Sequence, residues 1–285
     1  MKMFKMNSRS AQRVVTTVAL GLLLGAQTAM ACTVGNWLGG SSGPGVLASG
    51  PDGPNGEPAI ARYSGRCAMQ TNDSSAEWVQ DNSPGGINRI RARFYVLNGL
   101  DASQSAVVYR GFSTTGGTGN LFTVRLDTSG NVRLIDNATA EEVQQSSTTG
   151  WTSIEIDWSQ GTGDGEISLS VNGQAPAAKT TLSNSGQALQ SVRLGNLLGA
   201  GGTLNFDGYE SRRTSEIGRL CEGDAIVDGE RDFADINAMF VEFATGGSNP
   251  ASGNPDITED GLVDFADINE VFVLFATGQG ACPNA

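Results

Sequence analysis

Carboxylates recur near the C-terminus at a spacing that suits a hard cation. Asp224, Asp228, Asp232 and Asp235 belong to a phrase that is written twice, and Asp256, Asp260, Asp264 and Asp267 hold the matching places in its second copy. A twelve-residue calcium loop presents oxygens at positions 1, 3, 5, 7, 9 and 12 and turns sharply at a glycine in position 6. The second copy offers Asp256, Thr258, Asp260, the Leu262 carbonyl, Asp264 and Asp267 in those places, with Gly261 at the turn. The first offers Asp224, Asp228, the Glu230 carbonyl, Asp232 and Asp235 around Gly229. Ile226 brings no side-chain oxygen to its third position, so this site is expected to be the weaker. Val263, at position 8, is the apolar residue that would join paired loops, and Arg231 is a poorer counterpart. The cofactor implied is Ca2+.

Helices must carry these loops. Asp232-Phe233-Ala234-Asp235-Ile236-Asn237 returns as Asp264-Phe265-Ala266-Asp267-Ile268-Asn269, and the echo runs on to Thr245-Gly246 and Thr277-Gly278. Phe233, Ile236, Phe240 and Phe243, like Phe265, Ile268, Phe272 and Phe275, recur at steps of three and four. Each set is one apolar stripe, expected to form most of the core between two helices. So small a unit has little else to bury, and metal and disulfide would supply the missing stability. The cysteines are Cys32, Cys67, Cys221 and Cys282, which allow three pairings. Cys32–Cys67 with Cys221–Cys282 is favoured, because each pair then closes one module.

Aspartate rather than glutamate at position 12, two tandem copies, and the lack of a helix before each loop resemble the dockerin family, over about residues 222–283. The resemblance implies a calcium-bound module that docks onto a cohesin-like domain of a scaffold or cell-surface protein. Residues at positions 10 and 11 would face that partner. Here they are Phe233-Ala234 and Phe265-Ala266, the same in both copies, so a two-fold-related binding mode is conceivable.

The chain ahead of the repeat speaks for strands. Residues 32–82 are rich in glycine, proline and serine and read as loops around one short strand near Ala59–Tyr63. From Arg89 to Val96 residues alternate, with Ile90, Ala92, Phe94 and Val96 on one face and Arg89, Arg91, Arg93 and Tyr95 on the other. Further strands are expected at Ala106–Phe112, Leu121–Asp127, Val132–Ile135, Trp151–Trp158, Glu166–Val171, Ser191–Leu194 and Thr203–Tyr209, with a hairpin turn at Asn172-Gly173. No amphipathic helix interrupts them. The fold class expected is mainly β: an antiparallel jelly-roll β-sandwich over 32–215, followed by a small α-helical dockerin-like calcium-binding module over 221–285. The cadence Gly150-Trp151 to Trp158, then Leu169 to Gly173, then Leu204 to Tyr209, resembles the concanavalin A-like and laminin G-like superfamily. That resemblance leaves function open, since its members include lectins, adhesion domains and glycan-cleaving enzymes.

The catalytic prospects are thin. Histidine is absent, which removes Ser-His-Asp and Cys-His catalysis and the usual zinc sites. Glu155-Ile156-Asp157 resembles part of a glycan-hydrolysing Glu-x-Asp-x-x-Glu strand, but Ser159 and Gln160 stand where the second glutamate belongs, and retaining hydrolysis needs two neighbouring carboxyls. The simpler reading turns Ile154, Ile156 and Trp158 to the core and leaves Glu155 and Asp157 as solvated alternates. A polysaccharide-binding face on Arg89, Arg91, Arg93, Tyr95, Glu155 and Asp157 competes with a plain cross-strand charge ladder. Trp37, Trp78, Trp151, Trp158 and Tyr109 are expected to pack core or loops rather than to serve as platforms.

Residues 1–31 read as a cleaved secretory signal, with Lys2, Lys5, Arg9 and Arg13, an apolar run from Val14 to Ala26, and Ala29-Met30-Ala31. The rival is a lipoprotein acylated at Cys32. The prefix holds four of the 18 basic residues and none of the 30 acidic ones, leaving a net charge of about −16. Such a chain repels nucleic acid and anionic lipid. The expectation is a secreted or surface-held binding and attachment protein, without membrane insertion after cleavage. The alternative is a glycan-active hydrolase or lyase tethered in the same way.

Overall fold

A computed structural model describes residues 37, 39–42, 47–49, 60–64, 67–72, 75–147, 150–247, 251–258 and 262–282. The signal-like prefix, Cys32 and Asp260 lie outside the described residues.

Two antiparallel sheets face each other. The first runs β1 (Ser41–Ser42), β4 (Glu77–Asp81), β13 (Ser191–Asn196), β6 (Ser105–Phe112), β7 (Asn120–Asp127), β8 (Asn131–Asp136) and β9 (Glu142–Ser146). The second runs β12 (Ala177–Ser183), β11 (Thr162–Val171), β10 (Trp151–Ser159), β5 (Arg89–Leu100), β14 (Gly202–Arg212), β3 (Ala68–Asn72) and β2 (Leu47–Ser49). Strict alternation sets the register. Ala92, Phe94 and Ile90 lie opposite Ile156, Ile154 and Trp158, and Ile156 and Trp158 lie opposite Leu169 and Ile167. A one-residue slip would turn every one of these side chains to water. They meet Phe122, Val124, Leu126, Leu134, Val192 and Leu194 of the first sheet in one core. At the core's edge Asp136 is fully buried and accepts from Trp158 Nε1 (3.0 Å), Asn184 Nδ2 (2.7 Å) and the Thr139 amide (2.9 Å).

Several expectations are corrected. Ile60–Ser64 is not a strand; it is a covering segment held by Asp207, which accepts from the Tyr63 and Ser64 amides at 2.7 and 2.8 Å. Strands β3, β4, β9 and β12 occur where none was expected, and loops occupy less of residues 60–82 than their composition implies. Where β14 crosses Tyr95 it bulges between Asp207 and Glu210. Gly208 sits there at φ +54°, and a Cβ on it would come within 2.8 Å of the Tyr95 ring, so the crossing needs glycine.

Burial pushes the Asp207 carboxyl up to about 6, against the pull of its backbone donors. The folded chain therefore holds this proton more tightly than the unfolded one. This contribution to stability is present at low pH and is lost as pH rises from about 4 to about 6, by roughly 3 kcal/mol. Asp207→Asn is expected to remove that component. Melting curves between pH 4 and 7 for the two proteins should diverge across this window; parallel curves would show that Asp207 does not titrate there.

The C-terminal unit holds α1 (Phe233–Ala244) and α2 (Phe265–Ala276). Each opens on the same capping box. Asp232 and Asp264 are N-caps, and Asp235 and Asp267 return a hydrogen bond to the cap amide at 2.8 and 2.9 Å. Cys221 and Cys282 are bridged, as expected, and Cys67 is itself in a disulfide. The buried core between the helices is Ala225, Ile236, Met239, Ala251, Ile268 and Val271. The phenylalanine stripes are not in it. Phe233 and Phe265 are 63% and 61% exposed, and Phe240, Phe243, Phe272 and Phe275 are exposed too. Ile236 and Ile268 alone of the two stripes are buried, because the helices meet along a seam one residue wide of the phenylalanine arc. Among the described residues no helix is long and apolar enough to cross a membrane.

Candidate functional site

The first acidic loop brings carboxylates together. Oxygens of Asp224, Asp228 and Asp235 lie within 4.8 Å of one another. Local backbone sets them: Asp224 accepts from the Asp228 and Gly229 amides at 3.1 and 2.9 Å, and Asp235 from the Ile226 amide at 3.1 Å. Asp235 is fully buried. Burial raises its carboxyl above the usual range, the Asp232 and Ile226 amides pull it down, and Asp224 raises it again. Arg231, the basic residue within the loop, donates to the carbonyls of Glu222 (2.6 Å) and Gln279 (3.0 Å). Three oxygen donors crowded without a counter-charge fit a hard divalent ion.

Glu230 and Asp232 are placed differently from that trio. The Glu230 amide donates to Asp228 at 3.0 Å, and Asp232 accepts from the Ala234 amide at 2.6 Å as the helix cap.

The second loop repeats the geometry where it is described. Asp267 accepts from both the amide and the hydroxyl of Thr258 at 3.0 Å, matching Asp235 on Ile226. Asp264 accepts from the Ala266 amide at 2.6 Å, matching Asp232. Asp256 lines a cavity with Leu262, Val263 and Asp264. The described residues form no carboxylate trio here. The expected pairing of the loops through position 8 is replaced: the Arg231 amide donates to the Gly280 carbonyl at 2.6 Å and Cys282 to Gly229 at 3.0 Å. The chain's tail, tied back by the Cys221–Cys282 bridge, takes the place beside the first loop. Val263 instead lines, with Trp151, a cavity of about 550 Å3 between module and sandwich.

The phenylalanines make a second feature. Phe233 meets Phe275 with ring centroids 4.9 Å apart, and Phe243 meets Phe265 at 4.8 Å. Each contact joins the start of one helix to the end of the other, so the antiparallel pair carries an approximate two-fold axis. The rings remain open to water, a contiguous apolar surface of the kind that marks contact sites.

The expected sugar-binding face of the second sheet is largely taken by the chain itself. Residues 214–220 lie across it as a strap. Glu155 accepts from the Ile217 and Gly218 amides, both at 3.0 Å. Arg93 donates to the Gly218 carbonyl at 3.1 Å, and Tyr95 Oη accepts from the Leu220 amide at 2.7 Å. Arg91 reaches the Thr214 carbonyl at 3.2 Å. Asp157 binds Arg89 and Arg91, with Nε distances of 2.9 and 2.7 Å. The charge ladder is thus the observed arrangement, and neither Glu155 nor Asp157 is left free as an acid or nucleophile. What remains open is a polar cavity of about 730 Å3 lined by Arg89, Asp157, Glu166, Ser168 and Ser170 beside the strap.

Sequence reasoning missed the strap and the contact that holds the module. Arg62, in the segment over the second sheet, pairs with Glu242 of α1, and both side chains are buried (8% and 2% exposed). Glu242 also accepts from the Ala251 amide at 2.7 Å. The available signal was Glu242 standing where the second helix has the apolar Leu274, one of three differences between the two helices.

The chain matches no protein-family profile and no curated protein. Among solved structures it is similar to a cellulose-induced protein, Cip1, at 11% identity over 66% of this chain and 92% of that one, with a TM-score of 0.43. It is similar to the alginate lyase AlyC3 in complex with dimannuronate at 12% identity over 52% and 76%, with a TM-score of 0.37. It is also similar to a carbohydrate-binding module of a Ruminococcus gnavus sialidase bound to sialyllactose, at 11% identity over 52% and 93%, with a TM-score of 0.36. The second and third were seen with bound saccharides, and at this level the likeness assigns this chain neither ligand nor activity.

Proposed function

We propose that the chain is an exported binding and attachment protein, in which a jelly-roll recognition domain for carbohydrate (32–215) is carried by a dockerin-like calcium module (221–285) behind a cleaved prefix (1–31). The observation that carries the reading is the convergence of Asp224, Asp228 and Asp235 in a module that also bears a solvent-exposed phenylalanine surface. One feature offers a cation its donors, the other offers a partner an apolar face, and both belong to a unit closed by its own disulfide. In the loaded module Asp224, Asp228, Asp232, Asp235 and the Glu230 carbonyl hold one Ca2+. Asp256, Thr258, Asp260, Asp264, Asp267 and the Leu262 carbonyl hold the other. Calcium supplies charge neutralisation and fixes both helix starts. The partner is a cohesin-like domain or another cell-surface protein, met through Phe233 and Phe265. Binding is favoured over catalysis in the sandwich because Glu155 is committed to two backbone amides of the strap. Disulfides at Cys67 and between Cys221 and Cys282 suit an oxidising, extracellular setting.

The test is a pull-down with residues 32–285 as bait, in calcium, from secreted and envelope material of the source cells. Release of a protein by chelator alone is expected. Polysaccharide released by competing sugar would support the sandwich half of the reading, and an eluate empty of both would overturn it.

A further inference from the structure

The outer face of the first sheet carries a charge pattern that the rest of the molecule opposes. On an acidic chain (net −12), four consecutive strands each turn one arginine outward: Arg193 on β13, Arg110 on β6, Arg125 on β7 and Arg133 on β8. Alternation fixes their direction, because the residues beside them, Leu194, Val124, Leu126, Val132 and Leu134, are in the core. Arg193 lies directly opposite Arg110, and Arg125 directly opposite Arg133. Like charges facing across strands destabilise a sheet, and carboxylates do not offset them. Arg110 and Arg125 make no hydrogen bond or ion pair among the described residues, and Arg110 Nε is buried without a partner. Arg133 has only Glu142, at 4.0 Å on the rim. The Arg110 guanidinium is held below its ordinary value by burial, then by the charges of Arg125 and Arg193.

The row is also built to stay in place. The Arg193 guanidinium stacks on Trp78 (3.7 Å) and Phe112 (5.0 Å), and its Nε donates to Gln80 Oε1 at 2.7 Å. Its Nη2 also donates to the Gly116 carbonyl at 3.3 Å, so Arg193 is a fixed positive charge, while the exposed guanidinium groups of Arg125 and Arg133 suit two-pronged binding of a carboxylate or sulfate. Strand spacing sets Arg193 beside Arg110, and Arg125 beside Arg133, about 4.8 Å apart at the backbone. The two pairs are staggered along the strands, because Arg110 lies opposite Thr123 and Arg125 opposite Val107, so one face presents two separate points of positive charge. The aromatic rings on this face lie beneath Arg193 and cannot stack a base, which disfavours single-stranded nucleic acid.

We propose that Arg193, Arg110, Arg125 and Arg133 bind an anionic glycan, one with carboxylates or sulfates repeated along its length. This rests on the carbohydrate-recognition reading of the sandwich and places the ligand on the sheet opposite the strapped one. Residues 32–285 are titrated at low salt with polygalacturonate, dextran sulfate, neutral dextran and oligodeoxythymidylate. The comparison uses the wild type, Arg125→Gln/Arg133→Gln, Arg110→Gln and Arg89→Gln/Arg91→Gln, each checked for folding by circular dichroism. Binding to polygalacturonate or dextran sulfate is expected, the tighter of the two naming the acidic group. It should weaken about tenfold in the Arg125/Arg133 variant, whose exposed side chains leave the fold intact even if Arg110→Gln does not fold. Full affinity in that variant, or loss only in the Arg89/Arg91 variant, overturns the assignment to this face. Preference for neutral dextran overturns it while sparing the recognition reading, and equal binding to the oligonucleotide overturns the glycan class. Binding to none of the polymers overturns both proposals.

Discussion

Truncating Arg62 to alanine is expected to lower the stability of the chain by about 3–5 kcal/mol, the loss that follows when one member of a buried ion pair is left alone. Glu242 is only 2% exposed. Without Arg62 its carboxylate keeps the Ala251 amide but has lost the cation that offset its desolvation. Removing both charges should cost far less than removing one, because apolar or neutral replacements of a buried pair are often close to neutral. Arg62→Met with Glu242→Gln is therefore expected to recover most of the loss. Urea unfolding of the wild type, the single variant and the double variant measures both quantities. A single-variant loss below about 1 kcal/mol would place this pair among ordinary surface bridges. The pair joins the covering segment of the sandwich to α1, so the same experiment reports whether the module is fastened there.

Calcium is expected to raise the melting temperature of residues 32–285 strongly, and Asp235→Ala and Asp267→Ala to remove that rise in shares. A ligand at a hundred times its dissociation constant adds about 2.7 kcal/mol per site. In a chain of this length each kilocalorie corresponds to about 2–4 °C. Without calcium the two variants should still lose about 1–3 kcal/mol, since each carboxylate caps a helix and satisfies buried amides. The capping role and the metal role are thus separable: the first persists in chelator, the second is the calcium-dependent difference. Identical melting of the wild type in calcium and in chelator would defeat the metal reading and leave the repeated Asp-Phe-Ala-Asp phrase as a pair of capping boxes.

The central strands were legible because their alternation is clean. Ile90, Ala92, Phe94 and Val96 and their partners Ile154, Ile156 and Trp158 admit one register with the core covered. The missed strands had no such signal. In β12 only Leu182 is buried, and in β9 only Val143; these edges are strands because a neighbour offers them hydrogen bonds. Periodicity found the phenylalanine face but not its exposure, since Ile236, Met239, Ile268 and Val271 fill the narrow seam instead. The repeat named the expected metal positions, and of these the described residues bring together Asp224, Asp228 and Asp235. The convergence of Asp224 and Asp228 on Asp235 depends on loop hydrogen bonds that spacing alone does not fix. The polar residues of β5 and β10 were correctly turned outward, but the strap that uses them comes from residues remote in sequence, beyond the reach of a local pattern.

The Cys221–Cys282 bridge spans 61 residues and encloses both helices in a single covalent ring. A protease that cuts this ring once, at any peptide bond, yields ends that remain joined through sulfur. The rings of Phe233 and Phe275, and of Phe243 and Phe265, continue to hold the halves side by side. A nicked molecule would migrate as one band until reduced, and an attachment made through this unit would outlast the first digestive cut outside the cell.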